Sequence, residues 1–173
     1  VQLLWLNLVT NGIQDIGLGF EKGEKGVMGR PPRSPGEGMF DPLMIQEVLL
    51  SGVVIALLAF GAWCYLLEVQ QWPEMKARNS VLLLMVLLEN FHVLNCRSET
   101  RSIFFIPFSY NLFLIIGMFV SQGVHIACMH IPLMQRLLAL EPVAPAEWLQ
   151  WLGVASVILL VMEVFKQVRK NSA

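Results

Sequence analysis

Residues 48–67 (VLLSGVVIALLAFGAWCYLL) contain no charged side chain, and this run limits the possible folds more than any other feature of the sequence. An α-helix needs about 20 mostly apolar residues to cross the hydrocarbon core of a bilayer. Of the 173 residues, 55% are hydrophobic and 14% are charged. A soluble domain usually has about 25% charged residues. The chain is therefore predicted to be a multi-pass integral membrane protein.

Five apolar segments of spanning length favour an all-α helical bundle over a β-barrel. Barrel strands have about 10 residues of alternating polarity, whereas these runs are longer and do not alternate. In lipid, the backbone must satisfy its hydrogen bonds within the segment, as a helix does. The predicted transmembrane helices cover about 1–20, 43–67, 79–95, 108–129 and 148–165 of a single domain, 1–173. Two stretches rich in Pro or Gly, 21–41 and 131–147, are predicted to be loops.

Basic residues in the loops predict the orientation. Nine fall on one side of the bilayer and three on the other. The richer side holds Lys22, Lys25, Arg30, Arg33, Arg97, Arg101, Lys166, Arg169 and Lys170. By the positive-inside rule, loop 21–41 and the C-terminus are cytoplasmic. Short loops and the absence of targeting extensions favour a bacterial plasma membrane. The net charge of −1 gives no indication of a nucleic-acid partner, so membrane lipid is the expected surrounding.

Polar side chains in the first segment form the most informative cluster. Asn7, Asn11 and Asp15 follow one another at helical spacing, with Thr10 and Gln14 beside them. Burying an Asp at the centre of a membrane helix costs about 2.5–3.5 kcal/mol, so such a residue normally faces a partner or a cavity. Oxygen ligands of this kind suit a hard cation. The alternative interpretation is that the Asn and Thr side chains join neighbouring helices.

Other polar residues within the apolar segments are weaker candidates. Glu89 follows a run of uncharged residues and is predicted to be a ligand; its alternative is a solvated or protonated carboxyl near the cytoplasmic end. His92, one turn further on, is a possible metal ligand or an ordinary interior histidine. Glu163 and Lys166 are expected to form a local ion pair in a helix that serves as scaffold.

Three stretches resemble P-type cation ATPases, in particular their calcium-pump-like branch. They are VQLLWLNLVTNGIQDIGLGFE with VMGRPPRSP, then LLENFHVLNCRSET, and finally LLALEPVAPAEWLQWLGVASVILLVMEVFKQVRK. In that family they look like the sixth transmembrane helix with its cytoplasmic loop, the eighth helix with its cytoplasmic exit, and the last luminal loop with the tenth helix. The resemblance covers essentially the whole chain. It implies that the five segments are helices six to ten of a ten-helix transport domain with a cytoplasmic C-terminus.

The resemblance also implies a set of cation ligands. Calcium pumps use an Asn, a Thr and an Asp of the sixth helix, at positions that match Asn7, Thr10 and Asn11 here. The glutamate of their eighth helix matches Glu89, and His92 stands where those pumps have an Asn.

Asn11 is a departure from that pattern because it replaces a carboxylate. Losing this charge would weaken divalent binding or reduce the number of ions held, since affinity follows ligand charge. Asp15, one turn further on, replaces the missing carboxylate only if it faces the same cavity. The identity of the transported ion is therefore not determined, and the candidates are calcium, sodium, potassium, magnesium, manganese and protons.

The first functional hypothesis is the transport part of an ATP-driven cation translocase. The resemblance places ATP, Mg²⁺ and the phosphorylated aspartate on cytoplasmic domains that precede this region, and no DKTG-like motif occurs here. The chain begins at Val1 inside an apolar run, so we expect a longer protein whose N-terminal transmembrane helices and phosphorylation and nucleotide domains contact this part. The alternative hypothesis is a structural or regulatory membrane module. A gated channel is disfavoured because no pore-lining repeat is present.

Overall fold

Helices form the regular structure of the protein, as the sequence predicts. The structure, a computed structural model, describes residues 1–23, 29, 32, 36, 38 and 40–172, with side chains up to residue 170. Most of the predicted loop 21–41 lies outside the described residues. Within the described ranges the main helices are α1 (Gln2–Leu6, Asn7–Asn11 and Gly12–Leu18 in succession, the second of them π-helical), α2 (Pro42–Val69, with π-helical Tyr65–Val69 at its end), α3 (Glu74–Asn95), α4 (Leu112–His130), α5 (Pro132–Leu138) and α6 (Pro145–Ser172).

Four helices of the described part are long and apolar enough to cross a membrane. They correspond to four of the five predicted spans and cover Pro42–Val69, Glu74–Asn95, Phe108–His130 and Pro145–Lys170. The predicted first span, 1–20, is the shorter helix α1. At a rise of 1.5 Å per residue α1 measures about 25 Å, slightly less than the roughly 30 Å hydrocarbon core.

A short helix occupies part of the predicted loop 131–147, and this prediction was wrong for the stretch Pro132–Leu138. Pro132 stands in the first turn, where a missing backbone N–H is tolerated and a fixed φ favours the helix. Ala139 ends the helix in the left-handed conformation, with φ 51°. Prolines therefore mark the start of a helix here and not only an irregular loop.

The first turn of α3 lies before the predicted boundary at residue 79. The helix begins at Glu74, directly after Pro73. Lys76 in this turn lies 3.0 Å from the Glu147 carboxylate of α6 and stacks over the Trp72 ring at 3.6 Å. The charged residues of this turn lie outside the predicted span 79–95, and these partners let them begin the helix.

Helix α3 is the central element of the bundle. In its most apolar window 61% of the residues are buried, compared with 6% for α2. Leu83, Leu84 and Leu88 of α3 are completely buried and belong to the main hydrophobic core. The helix contacts α1, α2 and α6, so residues on its different faces can connect these neighbours.

Helices α1 and α4 approach each other closely through glycine. A Cβ atom at Gly17 would lie 2.8 Å from Leu114 Cδ1 and 3.2 Å from Leu114 Cα. On the other helix, a Cβ at Gly117 would lie 2.9 Å from Ile13 Cγ2. Small residues permit this kind of contact between membrane helices, and here they hold α1 tightly against α4.

The N-terminal end of α1 is fixed by two side chains. Gln2 Nε2 donates a hydrogen bond to the Leu138 carbonyl at 2.8 Å. Trp5 Nε1 donates to Nδ1 of the buried His125 of α4 at 3.1 Å. These bonds determine which face of the first turns of α1 meets α4 and α5.

The C-terminal end of α1 is held by a buried ion pair, which we name the Glu21–Arg97 clamp. Arg97 Nε and Nη2 donate to the two Glu21 carboxylate oxygens at 2.8 and 3.0 Å, and Nη2 also donates to the Pro107 carbonyl at 3.1 Å. Asn111 Nδ2 lies 2.8 Å from the Gly17 carbonyl and 3.0 Å from Glu21 Oε2. The clamp therefore joins the end of α1 to the connection between α3 and α4.

Helix α6 also binds this connection. Glu163 Oε1 accepts a hydrogen bond from the Ile103 backbone N–H at 2.8 Å, and Lys166 Nζ donates to the Asn95 carbonyl at 2.8 Å. Both side chains are buried. The sequence predicts a local pair between them; the contacts that the structure shows are with main chain outside α6, and Lys166 satisfies a carbonyl at the end of α3.

Candidate cation site

A π-helical turn, Asn7–Asn11, interrupts α1 and carries three of the predicted ligands. Residues on both sides are α-helical, and the Gly12 backbone N–H reaches back to the Asn7 carbonyl. A π turn of this kind inserts an extra residue into a helix and is frequent at functional sites. Compared with an uninterrupted α-helix, it rotates the side chains before the turn relative to those after it.

Thr10 and Glu89 meet across the contact between α1 and α3. Thr10 is fully buried. Its hydroxyl lies 2.6 Å from the Leu6 carbonyl and in hydrogen-bonding contact with Glu89 Oε2. Glu89 is only partly buried, so its carboxyl group stands at the edge of the interface. Two residues that lie 79 positions apart in the sequence are thus brought together.

The predicted stripe of Asn7, Asn11 and Asp15 lies on the accessible side of α1. Asn7 and Asp15 are exposed and Asn11 is intermediate. Asn11 Nδ2 donates to Asn7 Oδ1 at 3.0 Å, which shows that the two amides share one face. The Asp15 and Glu89 carboxyl groups are close enough to interact electrostatically. The stripe therefore flanks the Thr10–Glu89 contact but is not enclosed by the described helices.

A chain of amide side chains lies beneath the carboxyl groups. Gln14 Nε2 donates to Asn90 Oδ1 at 2.6 Å, and Asn90 Nδ2 donates to Gln122 Oε1 at 2.9 Å. Gln14 and Asn90 are buried, so this chain joins α1, α3 and α4 inside the bundle. Asn90 follows Glu89 directly, and its hydrogen bonds limit the rotation of α3 that would turn Glu89 away from α1. Asn90 is not among the residues predicted from the sequence, although its position beside Glu89 in an apolar helix was an available signal.

His92 is placed apart from the α1 residues. Its Nε2 lies 3.6 Å from Cys96 Sγ, one turn further along α3. Within the described part of the chain, no group of three or more His, Cys, Asp and Glu side chains is arranged to hold a metal ion. A cation between α1 and α3 would therefore rely on amide, hydroxyl and carboxylate oxygens, which are ligands for hard cations.

The family of the chain follows from sequence comparison. Residues 1–168 match the family described as "Cation transporting ATPase, C-terminus". Similar proteins include the probable cation-transporting ATPase F of Mycobacterium tuberculosis, with 30% identity over 93% of this chain. They also include the calcium-transporting ATPase of Bacillus subtilis, with 30% identity over 91% of the chain, and the human calcium-transporting ATPase type 2C member 2, with 28% over 98%.

The chain spans only part of these relatives. It covers 18% of the length of each of the three proteins. The matching part is their C-terminal region, and four helices of the described structure are suited to cross a membrane. The chain belongs to the cation-transporting P-type ATPases and forms part of their C-terminal membrane region.

Proposed function

We propose that the chain is the transmembrane ion-binding and scaffold part of an ATP-driven cation pump. The observation that carries this proposal is the contact between Thr10 and Glu89, two oxygen-bearing side chains on different helices. Carboxyl groups within a membrane bundle need compensation, and a cation bound between α1 and α3 provides it.

The proposed ligands are Asn7, Thr10, Asn11, Asp15 and Glu89. The first four lie on α1, and Glu89 lies on α3. The exposed stripe of α1 would be completed by transmembrane helices from another part of the same protein, which would enclose the cation. His92 is a weaker candidate because its polar contact is with Cys96. Helices α4 and α6 would act as scaffold, since they fix α1 and the end of α3.

The transported ion is proposed to be a metal cation, of the calcium type or monovalent. Two of the similar proteins are named calcium-transporting ATPases. The α1 helix has two amides and one carboxylate in its stripe, and this low charge favours weaker or fewer divalent ions. ATP and Mg²⁺ would act on cytoplasmic domains outside this chain, where hydrolysis would be coupled to the site through loop 21–41.

The test is ATP hydrolysis by the intact protein, purified and reconstituted, at fixed Mg-ATP. Ca²⁺, Mn²⁺, Na⁺ and K⁺ are each titrated separately. We expect one of these cations to stimulate hydrolysis with saturation, and vesicles to accumulate the same cation. Hydrolysis that is indifferent to all four, without accumulation of any, would favour a membrane module that does not transport these ions.

The orientation is also proposed, with loop 21–41 and the C-terminus in the cytoplasm of a bacterial cell. A reporter fused after Ala173 is expected to show cytoplasmic activity, because nine basic residues lie on that side. A reporter inserted at 142–145 is expected to show the opposite location. The same location for both reporters would contradict the proposed number of crossings between them.

A further inference from the structure

A large groove separates parts of α2 and α6, and none of the proposed ligands lines it. Its volume is about 560 Å³. Residues on matching stripes of the two helices line it, including Leu58, Gly61 and Tyr65 of α2 and Trp151 and Val154 of α6. The proposed function uses none of these residues.

The groove changes from polar to apolar along its length. At one end, where α2 finishes and α6 starts, it is lined by Tyr65, Trp72 and Glu147. Glu147 is paired there with Lys76, which lies over the Trp72 ring. Towards the interior of the span, Leu58 and Val154 form the walls. An occupant that matches this gradient has a polar group at the membrane boundary and a hydrocarbon part that extends inwards.

One wall residue has an unused hydrogen-bond donor. Trp151 is 6% exposed, and its indole Nε1–H is buried without a hydrogen-bond partner among the described residues. A buried N–H without an acceptor is unfavourable by about 1–3 kcal/mol. Indole rings near the membrane boundary usually combine an apolar contact with a hydrogen bond. The groove therefore fits an occupant that brings an acceptor oxygen to Trp151.

The depth of Trp151 indicates which acceptor this is. Helix α6 has 28 residues and measures about 42 Å, comparable with the roughly 40–45 Å thickness of a bilayer including its headgroups. Trp151 lies six residues after Pro145, about 9 Å below the start of the helix. This level lies at the boundary between the headgroups and the hydrocarbon core, where the ester groups of glycerophospholipids are found.

We propose that the groove between α2 and α6 binds a diacyl glycerophospholipid. One ester carbonyl accepts the Trp151 indole N–H, the headgroup lies near Lys76 and Glu147, and an acyl chain runs along Gly61 towards Val154. A transmembrane helix of another protein fits less well. Its backbone carbonyls are already used inside the helix, so it has no free backbone acceptor at this depth.

Filling the groove tests the proposal directly. A Cβ at Gly61 would meet no atom within 4 Å, so a Gly61→Leu side chain can enter the groove without displacing the protein. Gly123 of α4 is an exposed glycine with the same open surroundings and lies outside the groove, so Gly123→Leu is the matched control. Native mass spectrometry would count dioleoyl phosphatidylethanolamine bound to the intact protein during titration.

We expect the wild type and Gly123→Leu to retain one phospholipid more tightly than the rest. Gly61→Leu is expected to bind this molecule about tenfold more weakly, because added side-chain volume occupies its place. Equal lipid retention by the two leucine variants would overturn the proposal.

A second comparison tests the ester contact with an independent readout. The probe is the dialkyl ether analogue of the same phospholipid, which lacks the ester carbonyls. The wild type is expected to bind the ether lipid about fivefold more weakly than the ester lipid, as one lost hydrogen bond predicts. Trp151→Phe keeps an aromatic ring but has no N–H, so it is expected to bind both lipids equally. A wild type that does not distinguish the two lipids would contradict the role of Trp151.

Discussion

Replacing Glu89 by Gln is expected to lower the apparent cation affinity of ATP hydrolysis by about 10- to 100-fold. The reason is that a polar interaction with a charged group contributes roughly 1.5–3 kcal/mol, and every 1.4 kcal/mol changes affinity about tenfold. Gln keeps the size of the side chain and its contact with Thr10, so packing is largely preserved. The measurement is a cation titration of the reconstituted protein at saturating Mg-ATP.

Asp15→Asn is the companion variant, because Asp15 is the only carboxylate in the described stripe of α1. We expect a shift in the same direction, since its carboxyl group interacts with that of Glu89. Glu68→Gln provides the control: Glu68 is an exposed acid of α2 and is not one of the proposed ligands. If Glu89→Gln and Asp15→Asn both keep the ion dependence and affinity of the wild type, these two residues are not ligands.

The second large effect is expected at the Glu21–Arg97 clamp. The Arg97 side chain is 1% exposed and that of Glu21 is 11% exposed. Removing one partner of such a buried pair leaves the other charge uncompensated, which destabilises a protein by about 3–5 kcal/mol. Arg97→Ala should therefore reduce the free energy of unfolding by this amount, measured by denaturant unfolding in detergent.

Two further variants make the clamp experiment specific. Arg101→Ala is the control, because Arg101 is more exposed and the described hydrogen bond of its side chain, to the Phe105 carbonyl, is long at 3.3 Å. The double variant Glu21→Leu/Arg97→Met removes both charges, and it should recover much of the lost stability, since apolar replacements of a buried pair are often tolerated. Equal stability of wild type and Arg97→Ala would show that the clamp contributes nothing.

The clamp also predicts a dependence of stability on pH. Burial raises the pKa of Glu21, but hydrogen bonds from Arg97 and Asn111 and the charge of Arg97 outweigh burial, so its pKa lies below the ordinary value. A carboxyl with a lowered folded-state pKa stabilises the protein above its unfolded-state pKa, and this contribution is lost as the pH falls through the folded-state pKa. Unfolding measured from pH 7 down to the acid range should show this loss in the wild type. In Glu21→Gln this component should be missing.

Much of the fold could be predicted from the sequence because the bilayer imposes a length and a composition on each span. The charge-free run 48–67 predicts a membrane-spanning helix by its length and composition, and α2 covers it. The beginning of α3 and the short helix α5 were missed for a different reason. Lys76 lies in the first turn of α3 and pairs with Glu147, and Pro132 fits the first turn of α5. A hydropathy pattern shows neither of these contributions. Local polarity predicted loops where tertiary contacts and turn geometry form helix.

The candidate site could be predicted only in part. Helical spacing placed Asn7, Asn11 and Asp15 on one face, and Asn7 and Asn11 do share a hydrogen bond. The spacing could not show that this face is accessible while Thr10 is buried against Glu89. That difference depends on how α1 packs against α3, which is a tertiary property. The roles of these five residues as ligands remain predictions.

The π turn in α1 has a consequence for the register of the helix. A π turn contains one residue more than the corresponding α-helical turn, and one residue rotates a helix by about 100°. If the same residues formed an uninterrupted α-helix, Trp5 would point about a quarter turn away from His125 when the C-terminal half kept its place. The extra residue of the π turn therefore lets Trp5 reach His125 while Gln14 reaches Asn90. Deleting a single residue from Asn7–Asn11 would remove the bulge and leave both ends of the helix facing their present partners.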